Sequence, residues 1–226
     1  MTEIEEPAQS IFTRIYEEGL WGRANDTEQA YYSGQGSHDP AMVDPYVNAV
    51  SLYLHFHTLI IGKKPNVVDL GCGDFNVGAR LRPLCHHYVA CDVATPLIQW
   101  NRKKYLDLGV DFRQVDILTD PLPDGDIVFL RQVLQYLSNA QIAVALQKIA
   151  KTYRFLVLTE HLPSGNSFTA NLDKRSGSDI RLSAGSGVVV TQPPFSLPVT
   201  QVQTICEVAG YGGVLRTDIF HLSPGS

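Results

Sequence analysis

The sequence predicts an α/β domain: a doubly wound, mostly parallel sheet of about seven strands with helices on both faces. Three observations carry this reading. Short apolar runs bounded by turn residues alternate with stretches of helical spacing between Asn66 and Thr159. The first run ends in a glycine turn, Val67-Val68-Asp69-Leu70-Gly71-Cys72-Gly73, that opens a helix. Aspartates then stand at the ends of successive runs, at Asp69, Asp92 and Asp116. Strands separated by helical patterns imply βαβ units, and right-handed crossovers place the helices on both faces.

Taken in order, residues 11–18 read as a short helix. Residues 19–40 are rich in Gly, Ser, Asn and Asp and read as an irregular segment that nonetheless carries Trp21, Tyr31 and Tyr32. Pro40 opens a helix over 41–61 with Val43, Tyr46, Val47, Val50 and Leu54 at helical spacing. Strands are expected at 66–70, 87–92, 111–116, 126–130 and 154–159. Helices are expected from the glycine turn to about Leu84, over 96–108 and over 140–152. The rhythm breaks at 163–198, a long polar stretch with Gly and Pro throughout, where residues 187–191 read as a short strand. Residues 199–209 read as a helix and 213–222 as a last strand. The domain reading is therefore a helical and lid segment over 1–61, then a ligand-binding domain over 62–226 with an insert at 162–198.

Composition narrows the class. The 226 residues are 44% hydrophobic and 18% charged, with net charge −5. A core of this size needs no disulfide or structural metal. The longest basic cluster is Arg102-Lys103-Lys104, so a nucleic-acid partner is not expected. Cys72, Cys85, Cys91 and Cys206 match neither a zinc site nor a secreted disulfide framework. The first ten residues are acidic and polar, unlike a signal peptide, and no apolar run approaches a membrane span. A cytoplasmic protein acting on a small molecule is the expectation; the oligomeric state is not legible.

The glycine turn discriminates between ligands. A dinucleotide fingerprint needs a third glycine three residues after Gly73, but Asn76 stands there. Asp69 and Asp74 flank the turn and would repel a pyrophosphate. S-adenosylmethionine carries no phosphate but an ammonium and a sulfonium, which acidic neighbours suit. Asp92, about 20 residues past the glycines, is placed to take both ribose hydroxyls. Asp116 is placed to accept from the adenine amino group, with Ile117 beside it. Each acid taken alone could equally be a strand-end turn or helix cap; their succession argues for a site. A nicotinamide oxidoreductase is the disfavoured third reading.

At these residues the sequence resembles the class I S-adenosylmethionine-dependent methyltransferases, a Rossmann-like family, over Val67 to Glu160. Cys72-Gly73-Asp74-Phe75-Asn76, with Trp21-Gly22 and Ser33-Gly34-Gln35-Gly36-Ser37 upstream, looks like a bacterial subgroup acting on small molecules. The resemblance implies cofactor contacts at Asp69, Gly71, Gly73, Asp92 and Asp116, and closure of Ser33, Gly34 and Ser37 over the methionine end. Trp21, Cys72, Asn76, Val93, Ile117, Arg131 and Gln132 complete the expected cofactor set, and S-adenosylhomocysteine is the implied product. The family ends in an antiparallel strand pair, whereas only 213–222 reads clearly as a strand in this tail.

Methyl transfer is an in-line displacement in which alignment contributes about 7–11 kcal/mol, and a base is needed only if the acceptor must lose a proton. His161, after the fifth strand, is the expected base, its bland alternative being a backbone-bonded strand-end histidine. Arg131 is the second catalytic candidate and an anchor for an acidic acceptor. Tyr31, Tyr32, Tyr136, Glu160, Asn171 and Arg181 are the expected acceptor-side residues. His55 and His57 face different ways on a helix, and no metal is expected. The leading function is methylation of an oxygen, less favourably a nitrogen, on a sugar or other small metabolite. The competing reading is a non-catalytic cofactor-binding module that works through a partner.

Overall fold

The computed structural model describes residues 6–24, 29–165 and 167–223. Among the described residues five α-helices, α1 (Ala8–Glu18), α2 (Pro40–Ile61), α3 (Asn76–Leu81), α4 (Thr95–Lys104) and α5 (Asn139–Thr152), accompany seven strands. The strands are β1 (Asn66–Leu70), β2 (His87–Asp92), β3 (Asp111–Gln114), β4 (Ile127–Arg131), β5 (Phe155–Pro163), β6 (Val199–Gly210) and β7 (Gly213–Leu222). They form one sheet in the order β3-β2-β1-β4-β5-β7-β6. The first five run parallel, and β7 enters antiparallel between β5 and β6. The order reverses between β1 and β4, so a crevice opens above their carboxyl ends, where ligands bind in such sheets.

Local chemistry explains the main boundaries. Asp39 caps α2, its side chain accepting from the Ala41 N–H, and Pro40 fits the first turn. Gly62 ends that helix in the left-handed region. Ser138 and Gln141 form a capping box at the start of α5. Helix α3 is shorter than expected, because Pro83 turns the chain into a 3₁₀ segment over Arg82–Leu84.

Two regions differ from the sequence reading. The stretch expected as a helix over 199–209 is strand β6, which pairs with β7 along its whole length and restores the terminal antiparallel pair. The stretch 187–191 is not a strand: its Val188 and Val190 are buried, but its backbone is held by Asn171.

The sheet buries both faces. On one, Ala8, Ile11, Phe12 and Ile15 of α1 join Val68, Leu70, Val89, Ile142, Leu146 and Leu156 in a single cluster. On the other, α2 lays Val43, Tyr46, Val47, Val50 and Leu54 against Val67, Phe129, Val157 and Ile219. Each such side chain contributes roughly 1.5–3 kcal/mol by burial, so α1 and α2 are integral to the core that carries the site. Among the described residues no helix is long and apolar enough to cross a membrane.

Candidate active site

The crevice above β1 and β4 is a cavity of about 220 Å³, closed by residues 33–37 and the end of α1. Its floor is the glycine turn. The Gly71 and Cys72 N–H groups both donate to the Cys91 carbonyl at 2.8 Å, which ties the turn to the end of β2. Gly71 has φ 75° and Gly73 φ 57°. A Cβ on Gly71 would meet Val133 Cγ2 at 2.4 Å, and one on Gly73 would meet Ser33 Oγ at 2.4 Å. Left-handed backbone and close approach both require glycine there.

Three strand-end carboxylates face this space. Asp69 accepts from the Tyr88 hydroxyl at 2.9 Å, and burial pushes its carboxyl up to about 7. Asp92 accepts from the Gly73 N–H at 3.2 Å and the Ala94 N–H at 3.0 Å, and burial raises it to about 6 against those bonds. Asp116 accepts from the Leu118 N–H at 2.8 Å. Val93, Val115, Ile117, Leu118, Val133 and Leu137 give the same cavity an apolar side suited to a flat ring.

Arg131, at the end of β4, is the cation of the wall. It donates to the Gly36 carbonyl at 2.6 Å and to Ser37 Oγ at 3.2 Å, and its guanidinium lies 4.9 Å over the Tyr46 ring. Its Nε is buried without a partner, and burial holds the guanidinium below its ordinary value. Gln132 follows with φ 55°, a left-handed turn whose N–H donates to the Thr159 carbonyl at 2.7 Å.

The segment over the cavity is latched to the glycine turn. The Ser33 N–H donates to Asp74 Oδ2 at 3.0 Å, and the Asp74 N–H donates to Ser33 Oγ at 2.8 Å. His38 Nε2 meets the same carboxylate at 2.6 Å, and Asn76 Nδ2 donates to the Ser37 carbonyl at 2.8 Å. Trp21 packs on Tyr136 with centroids 4.7 Å apart.

The structure brings together every residue expected to hold the cofactor: Trp21, Ser33, Gly34, Ser37, Asp69, Gly71, Cys72, Gly73, Asn76, Asp92, Val93, Asp116, Ile117, Arg131 and Gln132 all line the cavity. Tyr136 lines it as well. The other acceptor-side residues do not. Tyr31 packs on Tyr16 and Trp100, and Tyr32 stacks on His38. Asn171 is buried and spends its amide on Val189 and Pro193. Arg181, 3% exposed, donates to the carbonyls of Leu134, Gln135, Leu137 and Leu172 and to Asn139 Oδ1. Glu160 accepts from the Leu134 N–H at 3.2 Å, and burial pushes its carboxyl up to about 8.

His161 corrects the sequence reading most directly. It does not line the cavity; its Nε2 donates to the Gly210 carbonyl at 3.1 Å, and burial lowers its pKa. The strand pleat explains this: Glu160 and His161 point to opposite faces of β5, and neither face is the cavity. Sequence reasoning missed Tyr16 and Tyr46, which line the cavity from α1 and α2. Their only signal was a hydroxyl on an otherwise apolar helical stripe.

The donor set fits S-adenosylmethionine. Asp69 and Asp92 are buried carboxylates, Asp116 lines the same cavity, and a glycine turn allows close approach. The fold is the one that the class I methyltransferases share. The chain matches the family model described as a methyltransferase domain over residues 67–154. Among solved structures, it resembles the N-methyltransferase NodS from Bradyrhizobium japonicum WM9, crystallised with S-adenosylhomocysteine. That match has TM-score 0.64 and 14% identity, covering 92% of this chain and 98% of the other. It also resembles the magnesium protoporphyrin IX methyltransferase from Synechocystis PCC 6803 with bound S-adenosylmethionine, at TM-score 0.62 and 14% identity over 98% and 100% of the two chains. Human N-acetylserotonin methyltransferase matches at TM-score 0.58 and 18% identity, over 96% of this chain and 60% of its own. No curated protein matches the chain in sequence.

Proposed function

We propose that the chain transfers a methyl group from S-adenosylmethionine to an oxygen of a small acidic molecule that is ionised near neutrality, a carboxylate. When bound, the cofactor supplies an electrophilic methyl on a sulfonium. Asp92 takes the ribose hydroxyls and Asp116 the adenine amino group. Asp69 holds the ammonium side, and a positive group there stabilises its ionised form. Ser33 to Ser37 exclude water from above.

The acceptor follows from one observation: the cavity wall carries a buried arginine with an unpartnered Nε and no histidine. Arg131 holds an anion, and its charge offsets the burial cost of that anion. Tyr16, Tyr46 and Tyr136 are all raised by burial and are poor bases near neutrality. An acceptor that is already anionic needs no base. Its oxygen forms the new O–C bond as the C–S bond breaks, and its negative charge is lost with the sulfonium's positive one. With Asp69, Asp92 and Asp116 assigned to the cofactor, a neutral sugar hydroxyl would need a general base that the rest of this wall does not offer. A cytoplasmic location fits a protein that uses this cofactor.

The test is turnover with labelled cofactor against matched acceptors: aromatic and aliphatic carboxylates, phenols, amines and sugars. Labelled methyl esters from the carboxylates support the reading. Transfer confined to phenols, sugars or amines overturns the acceptor. Failure of S-adenosylhomocysteine to bind by calorimetry overturns the donor.

A further inference from the structure

Among the described residues the core buries three tyrosines, Tyr46, Tyr88 and Tyr153. Two of them have protein partners for their hydroxyls. Tyr88 donates to Asp69 Oδ2 at 2.9 Å, and Tyr153 donates to the Pro123 carbonyl at 2.6 Å. The Tyr46 hydroxyl bonds to no described residue, although Tyr46 is only 3% exposed. A buried tyrosine normally finds a partner for its O–H, and phenylalanine would fill the same place on the apolar stripe of α2 without a polar cost. The hydroxyl is not sealed in the core as that of Tyr53 is. Tyr46 lines the cavity, and that is the space its oxygen reaches. Burial raises its pKa, so near neutrality it is a donor.

Arg131 stands over the same ring, its guanidinium carbon 4.9 Å from the Tyr46 centroid. The stack puts a free hydroxyl and a positive charge on one wall of the cavity. Arg131 directs Nη1 to Ser37 Oγ and Nη2 to the Gly36 carbonyl. Its charge attracts an anion, but orienting a planar carboxylate takes a second, directional contact. Taking the acceptor to be a carboxylate, as proposed above, we propose that Tyr46 determines acceptor specificity. Its hydroxyl donates to the carboxylate oxygen that does not take the methyl, while Arg131 supplies the charge. The attacking oxygen then keeps its lone pairs for the new O–C bond. A protonated amine has no lone pair to accept from Tyr46, and an alcohol has only the oxygen that must attack. A carboxylate alone among these offers one oxygen to each role.

Tyr46→Phe isolates the hydroxyl, because it keeps the ring beneath Arg131. Turnover with labelled cofactor is compared on the carboxylate that the wild-type chain uses best. KM should rise about 10- to 100-fold, the loss of a hydrogen bond to a charged group, with kcat held within about threefold. Calorimetry should show unchanged S-adenosylhomocysteine affinity, and the unfolding temperature should not fall, since no bond within the protein is lost. Tyr46→Leu, which removes the ring as well, should lose at least as much. A phenylalanine variant with wild-type KM overturns the role, and a loss confined to Tyr46→Leu leaves the ring as a support for Arg131 only. A phenylalanine variant that loses cofactor affinity or stability overturns it too. The two readings fail differently: a wild-type chain that methylates no carboxylate sinks the acceptor and this role together, whereas carboxylate transfer indifferent to Tyr46→Phe sinks this role alone.

Discussion

The wall of strand ends from Asp69 to Arg131 and the insert over 162–198 both carry a buried arginine, and the two arginines are used differently. Arg181 in the insert has its guanidinium filled by four carbonyls and an amide oxygen. Arg131 on the wall makes two bonds to the closing segment and leaves Nε unpartnered. The first pins the turn after β4 to the insert; the second is left with capacity for a ligand. Burial alone therefore does not mark a functional residue. What distinguishes Arg131 is an unpartnered polar group on a side chain that also lines the cavity.

Five variants sharpen this contrast. Arg181→Met strands several buried carbonyls and should destabilise by about 4 kcal/mol, a drop of roughly 8–16 °C in unfolding temperature by circular dichroism. Its defect should be one of folding. Arg131→Met should instead lower turnover with an acidic acceptor by about 10²-fold, chiefly through KM, while S-adenosylhomocysteine affinity stays within severalfold. If the two phenotypes were exchanged, the division between wall and insert would be wrong.

Asp92→Ala loses charge-assisted bonds of about 1.5–3 kcal/mol, so calorimetry should show cofactor affinity falling about 10- to 100-fold. Unchanged affinity would remove Asp92 from the site. Binding should also weaken as pH falls below about 6, where Asp92 takes up a proton.

Glu160 separates the regions by pH. Its folded-state value, raised by burial to about 8, lies above its unfolded value. The stability it contributes is therefore full below about pH 4.5 and is lost as pH rises through 8. Glu160→Gln should unfold at least ~2–4 °C higher than wild type at pH 8.5, with the difference closing by pH 5. Asp69 and Asp92 act in the same direction in the ligand-free protein, so a smaller slope should persist in the variant.

The smallest expected effect belongs to His161→Gln. General bases contribute about 10²–10⁴-fold, so turnover within about threefold of wild type across pH 6–8 would leave His161 a structural residue. A larger loss, with a group titrating near neutrality removed, would reinstate it as a base.

By itself the sequence determined the parallel half of the sheet. β1 and β2 lie at the expected residues, and β4 and β5 begin within one residue of them, because strands buried on both faces are short apolar runs that turn residues punctuate. The glycine turn and the three acids were legible for the same reason: backbone conformation and charge placement are local. Tertiary structure alone decided the rest. Strand β6 shows apolar residues at Val199, Val202, Ile205 and Cys206, a helical spacing, and exposes much of its length, so it lacks the alternation that marks a half-buried strand. Only β7 beside it supplies the hydrogen bonds that make it a strand. The roles of His161, Asn171 and Arg181 were equally hidden, because whether a polar side chain meets a ligand or a carbonyl depends on neighbours 9 to 49 residues away. The pleat of β5 and the path of the insert choose those neighbours, and neither is written in the residues themselves.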